Sequence, residues 1–241
     1  LPFRIIRKHS DNLFQIEALL FGTAGMLEEG LFKDALSDEY YRSLIKEYKI
    51  LSAKYSLKPI HGWLWKFSRL RPANFPTVRL SQLAAMLSVT GGLFSKVLEA
   101  SATMQLKDLF GVTASQYWDN HYLFGKKTRN TGKNTGSQAV SIFLINAVIP
   151  VIFVYGKSRD SNIICERALS FLEKLPAEEN SILDEWSETG IEAESAFYSQ
   201  ALIQLRNEYC KKRRCLECRL GSKLVSLGKR FKEPDELILE P

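Results

Sequence analysis

The 241-residue chain reads as mostly α, an irregular multi-helix domain of about eight to ten helices with little or no sheet. Three observations predict this. Apolar residues recur at three- and four-residue spacing through most segments. No alternating run of convincing strand length is present. Hydrophobic residues make up 45% and charged residues 25%, the balance of a folded globule large enough to bury a core without disulfides. That balance excludes a collagen, a mucin, a disulfide miniprotein and a polytopic membrane protein.

The first helix follows Asp11, a candidate N-cap, and buries Leu13, Ile16, Leu19, Leu20 and Met26. Ser37 with Asp38 and Glu39 opens a second, whose stripe runs from Tyr40 through Leu44, Tyr48, Leu51 and Tyr55. Pro59, Gly62, Pro72 and Pro76 make residues 58–78 irregular, and Pro76 suits a helix start because its missing N–H costs nothing there. Leu80, Leu83, Ala84 and Leu87 form the buried face of that helix, which Gly91-Gly92 ends. Shorter helices are expected near 93–100, 102–110 and 116–121. Residues 125–136 hold three glycines, four basic residues and no acid, and read as a mobile cationic loop without P-loop spacing. The uncharged run 139–155 is short for a membrane span and contains Ser141, Asn146 and Pro150, so a central buried helix kinked near Pro150 is expected. Helices over 165–172 and 181–186 precede a longer one over 193–209, and no solenoid repeat is present.

The net charge of +6 is unevenly placed. Residues 1–156 sum to +8, residues 157–205 to −6, residues 206–232 to +8 and residues 233–241 to −4. No acid falls between Glu47 and Glu99, while Lys49, Lys54, Lys58, Lys66, Arg69, Arg71, Arg79 and Lys96 do. Such a surface favours a polyanion, because each phosphate contact releases counterions. Arg69, Arg71 and Arg79 are the candidate phosphate contacts, with Lys126, Lys127, Arg129 and the run Lys211, Lys212, Arg213 and Arg214 adding field. Trp63 and Trp65 are candidates either to stack on unpaired bases or to pack in the core. His61, beside them, is the histidine to test.

Cys210, Cys215 and Cys218 form a C-x4-C-x2-C cluster, and Cys165 lies upstream. Thiolates at this spacing can serve zinc or an iron–sulfur cluster, with Cys165 as fourth ligand or as a small buried hydrophobe. Reduced thiols in a basic tail are the other reading. No HExxH, GxSxG or paired-carboxylate pattern is present, so no catalytic residue is assigned.

The strings His9–Gly22, Arg69–Leu80 and Ser199–Leu205, with Tyr209-Cys210 through Gly221, resemble an uncharacterised bacterial family, the domain of unknown function numbered twenty-eight fifty-one. The resemblance covers nearly the whole chain and implies no established activity. It implies a longer parent whose N-terminal region is similar to a nuclease core, with this chain as the helical C-terminal part. The opening Leu1-Pro2-Phe3-Arg4 agrees with a cut inside a longer protein. The family's cysteine motif matches at Cys210, Cys215 and Cys218. Together these give the expectation of a cytoplasmic nucleic-acid-binding accessory domain, spanning 1–241 with a basic tail at 206–232. Its expected partners are DNA or RNA and the parent's N-terminal region, with no membrane. The alternative is a structural or protein-interaction module.

Overall fold

The structure, a computed structural model, describes residues 1–28, 30–89 and 92–226. Gly91, residues 227–232 of the basic tail and the acidic end 233–241 lie outside the described residues. The fold is mostly α, with one two-stranded sheet. Two compact units divide the chain, Leu1–Val140 and Ser141–Pro241. Each is described by itself.

The first unit opens with α1 (Phe3–Arg7) and α2 (Leu13–Thr23). The α2 cap is Asn12 rather than Asp11: its side chain accepts from Gln15 N at 3.1 Å, which satisfies one of the orphan N–H groups of the first turn. Helix α3 (Glu39–Tyr55) starts at Asp38, which accepts from Tyr41 N at 2.9 Å. Helix α4 begins at Pro76 as the sequence indicates and runs to Val89. It packs on α2, as does α3. Helices α5 (Leu93–Glu99) and α6 (Thr103–Phe110) follow. A 3-10 turn over Gln116–Asn120 then leads into the antiparallel strands β1 (His121–Leu123) and β2 (Lys126–Lys127).

The core of this unit is aromatic. Phe21, Trp118 and Phe124 are fully buried and meet at ring separations of 5.0 to 5.5 Å. Each such side chain contributes about 1.5–3 kcal/mol by leaving water.

The loop after β2 is pinned rather than mobile. Thr128 N donates to Asn120 O at 2.7 Å, Thr131 N to Asp119 O at 2.8 Å, and Ala114 N to Lys133 O at 3.1 Å. Lys133 is buried, donates to Asp119 O and Thr131 O, and sits 4.1 Å from the Tyr122 ring centroid. Its ammonium ties the loop to the hairpin rather than standing free for a surface contact.

One helical run covers Ser137–Ser158: α7 (Ser137–Phe143), a π-helical turn (Leu144–Val148) and α8 (Ile149–Ser158). Pro150 has no N–H to donate back one turn, and the widened turn directly before it accommodates that loss. This corrects the sequence expectation. The helix is 22 residues long, enough by length and composition to cross a membrane, and is far from wholly buried. Leu144, Ile145, Val148, Ile149 and Ile152 are buried, while Ile142, Phe143, Val151 and Val154 are exposed.

In the second unit α8 packs on α9 (Asn162–Lys174), with Gly156 against the Cys165 backbone. Helix α10 (Ser181–Ser187) is capped by Asn180, which accepts from Ile182 N and Leu183 N. Helix α11 (Ala196–Leu205) continues into a π-helical turn over Arg206–Cys210, and α12 (Arg219–Ser226) closes the described chain.

Candidate functional site

The acid-free stretch forms an anchored platform in the first unit. Residues 60–65 are held against the end of α2: Ile60 N donates to Thr23 O at 2.9 Å, and Trp65 Nε1 donates to Ala24 O at 2.7 Å. Gly25 and Gly62 let the two backbones approach. A Cβ on Gly62 would lie 2.4 Å from Gly25 O, and Gly25 has a left-handed φ of 71°. The two tryptophans therefore separate. Trp65 packs against the core, whereas Trp63 is 72% exposed and lies parallel to His61 at 6.0 Å between ring centroids.

Around Trp63 in sequence, Lys58, Lys66, Arg69 and Arg71 are all exposed, and none forms an ion pair among the described residues. Arg69 holds a left-handed φ of 63°, a conformation that costs a non-glycine residue about 1–2 kcal/mol. Arg79 differs: its guanidinium donates to Asn74 Oδ1 at 2.7 Å and to Gln82 Oε1 at 2.9 Å. It braces the start of α4.

The hairpin lysines and the platform belong to one connected assembly. Phe67 meets Phe32, Phe32 meets Phe124, and Phe75 meets Tyr122. Lys126 lies 3.7 Å from Asp34, while Lys127 and Arg129 are exposed.

In the second unit, Lys212 pairs with Glu208 and Arg214 with Glu217. Lys211 and Arg213 are exposed, the latter with a φ of 53°. Cys210 and Cys215 are exposed thiols, and Cys218 is half-buried. Cys165 is buried on α9, with Sγ 3.7 Å from Phe153 O. Among the described residues no group of three or more His, Cys, Asp or Glu side chains is arranged to hold a metal.

A second locus was not singled out from sequence. Glu17, on α2, is 1% exposed. It accepts from Ser81 Oγ at 2.5 Å, from Ser115 Oγ at 2.9 Å and from the Tyr40 hydroxyl. Burial pushes its carboxyl above the ordinary carboxylate range, and these hydroxyls with the Trp118 indole act in the opposite direction. Burial and the Glu17 charge together push the Tyr40 hydroxyl up. Tyr40 stacks on Tyr117 at 4.2 Å, and Tyr117 stacks on His121 at 4.0 Å. Tyr117 donates to Asp38 Oδ2 at 2.8 Å, which ties this ring stack to the α3 cap. Two openings share Phe14, Tyr40 and Tyr117. A cavity of about 330 Å³ also includes Glu17 and Ser115. A groove of about 730 Å³ includes Asp38, Glu39, His121 and Lys127.

A family model described as "Protein of unknown function (DUF2851)" matches residues 1–181. Nothing among curated proteins or solved structures matches the chain.

Proposed function

We propose, from the premise that this chain belongs to the DUF2851 family, that it is a nucleic-acid-binding module whose contact surface is the platform over residues 58–71. One observation carries this reading. An exposed tryptophan stands on an anchored loop among four unpaired cations, Lys58, Lys66, Arg69 and Arg71, in a stretch that contains no acid. Cations give affinity for phosphates, and an exposed indole gives a surface on which an unpaired base can stack. The internal braces at Arg79 and Lys133 take those two charges out of the contact set, and Lys126 shares Asp34. Lys127 and Arg129 on and after β2 extend the set.

Fluorescence anisotropy with a labelled single-stranded oligonucleotide, repeated over a range of salt, tests this. The logarithm of the binding constant should fall linearly with the logarithm of salt, by about 0.7 per phosphate engaged. A flat salt response refutes the reading and leaves a structural or protein-interaction role.

A further inference from the structure

The first unit contains a buried carboxyl group with no cation beside it. Glu17 accepts from the Ser81, Ser115 and Tyr40 hydroxyls with the Trp118 indole beside it, and among the described residues no Lys, Arg or His pairs with it. A desolvated carboxylate gains most from a positive charge placed against it, since hydroxyl dipoles offset only part of the lost hydration. The cavity at this point has walls suited to such a charge. Tyr40 and Ser115, two of the three hydroxyl partners of the carboxylate, line it together with Glu17. Leu13 and Phe14 make the sides apolar, and Phe14 stands edge-on to Tyr40 at 5.8 Å.

From this arrangement we propose that the cavity beside Glu17 binds a primary alkylammonium group. The ammonium carries three N–H donors. One would meet the Glu17 carboxylate, and Ser115 and Gln116, which line the same space, carry oxygen acceptors for the others. The aromatic residues Phe14 and Tyr40 in the wall suit a cation, and Leu13 and Phe14 suit its alkyl body. A quaternary ammonium has no N–H for the hydroxyl acceptors, and a metal ion would find one carboxylate among neutral groups. The adjoining groove leaves room for the remainder of a larger ligand. The ammonium's source is either a free aliphatic amine or the lysine side chain of a peptide, because both present the same head group.

The site is tested on the full chain by calorimetry or ligand-observed NMR with three probes: n-butylammonium, its neutral isostere n-butanol, and N-acetyl-lysine methylamide. n-Butylammonium should bind about tenfold or more tightly than n-butanol, which corresponds to about 1.4 kcal/mol. Glu17→Gln should erase that preference while circular dichroism stays unchanged. Tighter binding of the lysine amide assigns a peptide source, and weaker binding assigns a free amine. Absence of n-butylammonium binding, or equal binding of n-butanol, overturns the proposal without recourse to any variant. Oligonucleotide binding is read separately, so failure of this site and failure of the platform are distinguishable.

Discussion

Replacement of Glu17 separates the two things its carboxylate does, holding hydroxyls and carrying a charge. Glu17→Leu leaves the hydroxyls of Ser81, Ser115 and Tyr40 without their acceptor, with Ser81 fully buried. Tyr40 and Ser115 can turn toward each other across 3.4 Å, so two to three donors lose a partner. At about 1–3 kcal/mol for each buried unsatisfied group, the cost is about 2–9 kcal/mol. That is a large share of the 5–15 kcal/mol typical of a domain, so the variant should unfold at markedly lower denaturant. Glu17→Gln keeps an acceptor for Ser81 and Ser115 and has no charge. The pH dependence follows from the direction of the shift. A carboxyl raised by burial above its ordinary value of 4.5 binds its proton more tightly in the folded state. Its contribution to stability is therefore complete below that ordinary value and is lost as pH rises through the folded one. Urea unfolding of wild type at pH 4.5, 6 and 8 should show this loss, and Glu17→Gln should flatten it. Tyr40 is the titratable neighbour, and its hydroxyl, pushed upward, stays protonated across this window. A Glu17→Leu protein as stable as wild type, or a Glu17→Gln protein with the same pH profile, would refute this account of the network.

Four further outcomes follow. Trp63→Ala should weaken single-strand binding by about 1–3 kcal/mol and leave the melting temperature unchanged, because the ring is 72% exposed. Arg69→Ala combined with Arg71→Ala should reduce the salt slope by about 1.4, and an unchanged slope removes both side chains from the phosphate contacts. Gly25→Ala places a Cβ 2.0 Å from Ile60 O at a φ of 71°, so it should destabilise by about 1–3 kcal/mol and weaken oligonucleotide binding through the displaced platform. In thiol titration of the native protein, Cys210, Cys215 and Cys218 should react before Cys165, which is 6% exposed. Protection of the first three that a chelator releases would instead support the zinc or iron–sulfur reading.

Much of the helical scaffold was legible because its signals are local. The Pro76 start of α4 comes from a residue that fixes backbone geometry regardless of neighbours, and Pro176, two residues past the end of α9, is another such residue. Asp11 and Asn12 both satisfy the N-cap pattern, and only the backbone decides between them in favour of Asn12. The candidate sites were less legible. Trp63 and Trp65 stand two apart in one aromatic string, and what separates them is that Trp65 reaches Ala24 O. Lys127, exposed, and Lys133, buried, belong to one cationic loop; burial of the second depends on backbone carbonyls at Asp119 and Thr131. Glu17 did leave a trace, as a lone acid within Ile16-Glu17-Ala18-Leu19 of an otherwise apolar helix. Its partners Ser81 and Ser115 lie 64 and 98 residues away, and no spacing rule connects them. The apolar run within 137–158 shows the complementary failure. Composition marks it as buriable, but tertiary packing covers Ile145 and Ile152 and leaves Val151 and Val154 exposed.

Photochemical cross-linking of the full chain to a single-stranded oligonucleotide, with mass-spectrometric assignment of the joined residue, tests whether residues 58–71 contact nucleic acid. Adducts should fall within that platform, with Trp63 foremost, and should be lost as salt is raised. Adducts confined to Ser141–Pro241, or a yield within the platform that does not respond to salt, would contradict it.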